Sequence, residues 1–315
     1  MESTSSFFPK KINKILKVFG LQRLPSPPVQ PFAPPKIPFA KRNTWKKRVA
    51  ELEAKMNAHE QTFTHLIRYV MKTHWRTIDL IEQMSGSHTP SACPLCAHQS
   101  DQETFKEIES TCIFHGGRLL RHVCPNCDVI FGAQKMLGLD DEQLDMEYRN
   151  IYRIYSESDP SASVIKTFHL LSPKKEGVYL DFGCGGHWSD AIQQLRQEGW
   201  NIYGFEPSAT HSSAYVFSTW EEIEAMRFDG ILSHNVLEHL LDPIDINKRL
   251  SRLLLPQGKL VHATPCFEYL YEYTRYHVFF FVGRSAEILA QRSEMQIIHW
   301  IREGEYIACV MQKDA

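Results

Sequence analysis

The sequence predicts an α/β chain whose larger part is a doubly wound sheet, and three stretches carry that prediction. Val178-Tyr179-Leu180-Asp181-Phe182 is an apolar run of strand formers, as in a parallel strand covered on both faces. It runs straight into Gly183-Cys184-Gly185-Gly186, where the chain must turn sharply and let a ligand lie against bare backbone. Ser189 to Arg196 then reads as an amphipathic helix with Ile192 and Leu195 inward, followed by a second strand, Asn201 to Phe205, that ends at Glu206. Strand, glycine turn, helix, strand is the opening of a nucleotide-binding βαβ unit.

The remaining elements follow from the same periodicities. Strands are expected at 177–182, 201–205, 214–217, 228–234, 258–264, 295–302 and 305–312, with helices near 187–199, 242–254 and 285–293. The third βα unit is compressed, because Tyr215-Val216-Phe217 leads almost at once into Ser218-Thr219-Trp220. Position 188 is Trp, where a dinucleotide fingerprint places its third glycine, which argues against NAD or FAD. Glu206 lies 25 residues beyond Asp181, close to where such folds put a carboxylate on ribose hydroxyls.

Asp181-Phe182-Gly183-Cys184-Gly185-Gly186, then Gly204-Phe205-Glu206-Pro207-Ser208, then Phe228 to Pro243 with its Asn235-Val236-Leu237-Glu238-His239, resemble the successive motifs of class I S-adenosylmethionine-dependent methyltransferases over roughly residues 140–315. The resemblance implies a seven-stranded sheet whose last strand is antiparallel and inserted, and S-adenosylmethionine as cofactor. It implies a cofactor crevice lined by Asp181, Gly183, Cys184, Gly185, Gly186, Glu206, Pro207, His234 and Asn235 at the carboxyl ends of the strands. Asp181 would orient the glycine loop, meet the cofactor's amino group or merely cap the turn, and Glu206 would accept the two ribose hydroxyls. A base for the acceptor would be His239 or His277, the latter in a loop crowded by Tyr269, Tyr271, Tyr273 and Tyr276. Residues 140–171 read as helical with Tyr148, Tyr152 and Tyr155 in a row; in the family such a helix belongs to the cofactor lid.

The chain ahead of this body divides by composition. Of 315 residues, 43% are apolar and 23% charged, so global disorder is excluded. The net charge of −2 hides an asymmetry: residues 1–50 hold eight Lys and three Arg against Glu2 alone, a net of +10 that leaves −12 on the remainder. Residues 1–44 read as a basic amphipathic helix within 7–21 followed by a linker with seven prolines between 24 and 38. A basic face of this kind fits an anionic membrane surface, with a docked or frayed tail as the alternative. Residues 45–85 form one long helical pattern with Val49, Met56, Phe63 and Val70 on one seam and Leu52, His59, Leu66 and Thr73 on the other, as in a homo-oligomeric coiled coil or a helix laid on the body. Residues 86–135 carry Cys93-Pro-Leu-Cys96 and Cys124-Pro-Asn-Cys127. Two such knuckles 27 residues apart can place four thiolates round one structural zinc, with short strands expected at 111–114 and 119–123. Residues 136–315 are the methyltransferase body.

No membrane-spanning run or secretory signal is visible, and the paired cysteines fit a reducing, cytoplasmic setting. A zinc ribbon ahead of such a body resembles sugar C-methyltransferases, methyltransferases of polysaccharide clusters and ubiquinone-type enzymes. The expected acceptor is therefore a small molecule or glycan, a sugar nucleotide or surface polysaccharide, met at the inner membrane face. Two other readings stand beside it. One is an RNA methyltransferase using tail and ribbon, disfavoured because the ribbon is not notably basic and no motif for a flipped base is present. The other is a non-catalytic scaffold.

Overall fold

The structure is a computed structural model that describes residues 39–85, 90–101, 104–114, 117–155, 158–185, 189–209, 214–268 and 274–313. The chain divides into two units, Met1–His59 and Glu60–Ala315. In the first, the described residues are the opening turns of helix α1 (Phe39–Ser85). The segment 7–21 and the proline-rich stretch lie outside the described residues.

In the second unit, α1 turns Ile67, Met71 and Trp75 inward at helical spacing. Trp75 is fully buried, with its indole Nε1–H donating to Glu147 and the cations of Lys135 and Arg275 over its ring. A small antiparallel sheet follows: β1 (Lys106–Thr111), β2 (Arg118–Val123) and β3 (Ile130–Gly132). The first ribbon strand lies before the stretch expected at 111–114. Its sequence, Lys-Glu-Ile-Glu-Ser-Thr, is mostly polar because it forms the exposed edge, so hydrophobicity does not mark it. The sheet has a fourth member, β9 (Phe279–Phe280), which pairs antiparallel with β3 although it comes from the far end of the chain.

The expected single helical stretch 140–171 is two helices after the one-turn α2 (Gln134–Leu137): α3 (Asp141–Ile151) and α4 (Ser161–Leu170). Pro160, which lacks an N–H, and Asp159, whose carboxylate accepts from the Ser161 N–H and hydroxyl, start the second helix. The larger sheet holds β4 (Val178–Phe182), β5 (Asn201–Phe205), β6 (Val216–Phe217), β7 (Phe228–His234), β8 (Leu254–Ala263), β10 (Met295–Glu303) and β11 (Tyr306–Lys313). Their order is β10-β11-β8-β7-β4-β5-β6. The five strands from β8 to β6 run parallel, and β11 is inserted antiparallel between β8 and β10. The third strand is only two residues long where four were expected, as its compressed connection requires.

Helices α5 (Asp190–Gln197), α6 (Trp220–Glu224), α7 (Pro243–Leu253) and α8 (Ser285–Arg292) complete the layers. Successive strand residues serve opposite cores. Tyr179, Leu232 and Val261 pack with Phe168 of α4 and Leu195 of α5; Leu180, Ile231 and Leu260 pack with Leu250 of α7 and Leu289 of α8. The second core runs on without a break into the ribbon's Leu95, Phe105 and Phe131 and to Trp75. The architecture is the doubly wound seven-stranded sheet with a long helix ahead of it that the sequence predicts.

Candidate functional site

Three neighbouring strands of the large sheet, β4, β5 and β7, end at one edge, and each delivers polar groups. β4 ends in Asp181, Phe182 and the turn Gly183-Cys184-Gly185. The Gly183 and Cys184 N–H groups donate to the Phe205 carbonyl, which ties the turn to the end of β5. Gly183 has φ +76°, and a Cβ built there would fall 2.5 Å from Val236, so only glycine fits. Gly185 has φ +63° with nothing within 4 Å of its missing side chain, so its backbone faces open space. Gly186 lies outside the described residues, as does Trp188. Cys184 packs against Gly204 under this turn, and burial pushes its thiol well above the ordinary range, helped by Asp181 and Glu206.

Asp181 is buried, and its Oδ2 has no hydrogen-bond partner among the described residues. Burial first, then the nearby Glu206 carboxylate, pushes its pKa up to about 7. Glu206 closes β5 half-buried. Its Oε2 accepts from the Gly185 N–H at 3.2 Å and its Oε1 from the Ser208 hydroxyl and N–H at 2.6 and 3.1 Å, with exposed Pro207 between. At the end of β7, His234 is half-buried and held neutral, its pKa lowered to about 4 by burial. Exposed Asn235 follows at φ +53°, its N–H donating to the Ala263 carbonyl.

A buried polar chain behind β7 was not anticipated. Asn247 Nδ2 donates to the Pro243 carbonyl, which leaves its Oδ1 to accept from His262 Nε2 at 2.7 Å; His262 Nδ1 then accepts from the Ser233 hydroxyl at 2.7 Å. Burial holds His262 neutral, with a pKa of about 3. No motif signals this set; an Asn on the inner face of α7 is its only trace in the sequence.

A second group of polar and aromatic side chains, the candidate acceptor side, is built by the 3₁₀ turn Leu237–His239 and the loop ahead of β9. His239 Nδ1 donates to the Tyr276 carbonyl at 3.0 Å, so its free lone pair is on Nε2; burial lowers its pKa to about 4. His277 stacks edge-on at 4.9 Å, and Tyr148 of α3 lies 5.9 Å from His239 and 4.9 Å from Tyr276. Tyr152 and Tyr155 stay largely exposed, and Tyr269, Tyr271 and Tyr273 lie outside the described residues. Glu238 is buried beneath, accepting from the Thr264 hydroxyl at 2.8 Å. The ligand atoms of Glu238, His239 and His277 lie within 4.8 Å of one another, a carboxylate–imidazole set that could hold a divalent cation.

The loop holding Tyr276 and His277 is fixed from three sides. The Val278 N–H donates to the Glu238 carbonyl and the Phe281 N–H to that of Cys266. The buried Arg121 of β2 donates through Nη2 to the carbonyls of Thr274 at 2.7 Å and His277 at 3.1 Å. Arg275, fully buried, pairs with Glu147 of α3 at 2.8 Å and donates to the Tyr276 hydroxyl at 2.9 Å.

The four knuckle cysteines also converge. The Cys93 and Cys127 sulfurs are 3.8 Å apart, those of Cys96 and Cys124 3.5 Å, and all four lie within 4.8 Å. A tetrahedral zinc with bonds of about 2.3 Å needs sulfurs roughly 3.8 Å apart, so the set fits. Both knuckles turn through a left-handed residue, Ala97 and Asp128, whose N–H groups donate to the Cys93 and Cys124 carbonyls. The hydrogen bond from Cys127 lowers the Cys93 pKa to about 5 and pushes Cys127 up, while burial raises Cys124 to about 12.

Comparison with known proteins supplies the family. Among curated proteins, the ubiquinone biosynthesis O-methyltransferase of Arabidopsis thaliana is 28% identical over 123 residues, which span 34% of this chain and 35% of that protein. The chain thus matches about a third of that relative's length. Similar solved structures include 1,6-didemethyltoxoflavin-N1-methyltransferase of Burkholderia thailandensis with S-adenosylhomocysteine (16% identity, 62% of this chain and 96% of that one, TM-score 0.40). Human N-acetylserotonin methyltransferase with S-adenosylmethionine is another (13% identity, 58% of this chain and 56% of that one, TM-score 0.38).

Asp181 generates a test. Its folded pKa of about 7 lies above the ordinary carboxylate value, so the folded state holds a proton that the unfolded chain has released between pH about 4 and 7. Its contribution to stability is therefore largest below pH 4 and falls as pH rises to 7, by on the order of 4 kcal/mol. Ligand-free Asp181→Asn should lack this loss. Denaturation at pH 4 and pH 7 should show the stability difference between variant and wild type growing with pH; a constant difference contradicts the assignment. A profile of the family described as methyltransferase domain matches residues 156–312, and this segment of the chain is a methyltransferase domain.

Proposed function

We propose that the chain is an S-adenosylmethionine-dependent methyltransferase acting on a hydroxyl of a small molecule, with a structural zinc in its four-cysteine ribbon. The observation that carries the reading is the buried, unpartnered carboxylate oxygen of Asp181 beside the open Gly185 backbone and the Glu206 carboxylate. An uncompensated buried carboxylate is costly, and a cationic amino group in that crevice would relieve it. Glu206 has the geometry to accept two adjacent ribose hydroxyls, exchanging its contact with the Gly185 N–H for them. When bound, S-adenosylmethionine supplies an electrophilic methyl group on a sulfonium.

The chain's own residues would position the acceptor and take its proton. His239 presents Nε2 as a neutral acceptor, held in that tautomer by the Tyr276 carbonyl, and would receive the proton of the acceptor hydroxyl. Half-buried Tyr148 lies edge-on to His239 and is backed by the buried Tyr276 ring, an aromatic wall suited to a sugar or aromatic acceptor. The relative named as a ubiquinone biosynthesis O-methyltransferase supports oxygen as the methylated atom. The glycan form of the reading takes a sugar nucleotide or polysaccharide unit as acceptor. The basic segment 7–21 would then hold the enzyme at the inner membrane face. No helix among the described residues is long and apolar enough to cross a membrane.

Calorimetric titration of S-adenosylhomocysteine tests the cofactor. The wild type should bind in the micromolar range, about −8 kcal/mol, and Glu206→Ala should weaken that at least tenfold. No binding by the wild type overturns the reading. With a responding acceptor from a screen of sugar and phenolic hydroxyls, His239→Ala should slow transfer ~10²–10⁴-fold at unchanged cofactor affinity. The ribbon has its own check. Metal analysis of the purified chain should return about one zinc, and Cys124→Ser should lose it; a metal-free, stable wild type contradicts four-thiolate ligation.

A further inference from the structure

The long helix α1 carries a surface that the described residues leave largely uncovered, with the Arg153 guanidinium 5.7 Å over the Phe63 ring towards one end of it. Its heptad seam holds Val49, Met56 and Phe63 at the first apolar position (a) and Trp45, Leu52 and Leu66 at the second (d). These six side chains are 48–69% exposed, although Ile67, Met71 and Trp75 on another face of the same helix are buried. Three heptads of large apolar residues left in water are a hydrophobic stripe about 33 Å long, from the 1.5 Å rise per residue. A repeat of 3.5 residues keeps such a stripe facing one partner helix throughout.

The charges beside the stripe name the partner. At the flanking g positions stand Arg48, Lys55 and Thr62, and at the e positions Lys46, Glu53 and Glu60, all six exposed; Lys46 would face position 41 of a parallel partner, outside the span argued here. In a parallel, in-register pair of helices, each g residue faces the e residue five positions on in the other chain. Arg48 would meet the partner's Glu53, and Lys55 the partner's Glu60, twice over by symmetry. In an antiparallel pair, g faces g and e faces e, which always sets Arg48 and Lys55 against Arg48 and Lys55 and leaves Lys46 as the one e residue that can face a partner Glu. The one polar break, His59 at a d position, pairs with itself only in the parallel register, as polar seam residues that fix register do.

We infer that α1 is a parallel two-stranded coiled coil with a second copy of this chain, spanning at least Trp45 to Leu66. This rests on the helix alone and is independent of the methyl-transfer reading.

Sedimentation equilibrium of the full chain tests it. The wild type should weigh twice one chain. Two charge-reversed proteins, Glu53→Lys/Glu60→Lys and Arg48→Glu/Lys55→Glu, should each dissociate at least about tenfold more readily, since every g–e pair becomes repulsive. Because all four positions are exposed, circular dichroism should find both variants folded. An equimolar mixture of the two should regain the dimer as a heterodimer, because reversed e residues then face reversed g residues. A monomeric wild type overturns the inference, including the case where residues 1–38 cover the stripe. So does a dimer indifferent to both reversals, or variants that weaken the dimer and do not rescue each other.

Discussion

Ile130 and Phe131 pair with Phe280 and Phe279, and through that short ladder the four-cysteine ribbon takes a strand from the loop that carries Tyr276 and His277. The whole of the proposed acceptor side depends on it. The Gly132 N–H donates to the Val278 carbonyl, Arg121 holds the Thr274 and His277 carbonyls, and the Arg284 N–H reaches Asp128 beside the second knuckle. A loop bonded this way along its backbone loses most of its conformational freedom before any ligand arrives. The Tyr276 carbonyl is thereby fixed where it can set the tautomer of His239. The ribbon is built into the site and is more than an appendage ahead of it.

The two halves of the crevice are held by different physics. The proposed cofactor half is backbone-dominated: a turn with two left-handed glycines, stitched to the Phe205 carbonyl, with carboxylates at the ends of adjacent parallel strands. Asp181 is buried without a partner for Oδ2, and burial first, then the Glu206 carboxylate, raise its pKa, as expected of a group whose partner the proposed cofactor would supply. The proposed acceptor half is dominated by side chains and long-range pairing. Its buried ion pair, Arg275 with Glu147, joins the loop to α3, and the Tyr276 hydroxyl takes part through Arg275. The Ser233–His262–Asn247 chain stiffens the end of β7 from behind without reaching the crevice.

This division governs what could be read from the sequence. β4, β5 and β7, the glycine turn, Glu206 and the cysteine knuckles are legible because their signals are local: apolar runs, glycine at special φ, paired Cys at fixed spacing. The caps are local too, with Ser189 accepting from the Ile192 N–H and Asp242 from the Asp245 N–H. β9 was not legible, since Phe279-Phe280 within an apolar run acquires its meaning only from a partner about 150 residues earlier. The break at Asp159-Pro160 is visible in principle, but the tyrosine row at 148, 152 and 155 just ahead of it favours a single helix through both. Arg121 and Arg275 look like ordinary charged residues in the sequence, and burial alone reveals that they act on backbone carbonyls and on Glu147.

The measurement that tests the account most directly is hydrogen exchange of the segment 274–281 in wild type and Arg121→Met, paired with calorimetric titration of S-adenosylhomocysteine. Arg121→Met keeps the side chain's bulk and removes its donors to the Thr274 and His277 carbonyls. If the ribbon holds the acceptor loop, the Val278 and Phe281 amides should exchange at least tenfold faster in the variant at unchanged cofactor affinity. Unchanged exchange, or a loss of cofactor affinity as large as the gain in exchange, would contradict the division of the site into a backbone-built cofactor half and a ribbon-held acceptor half.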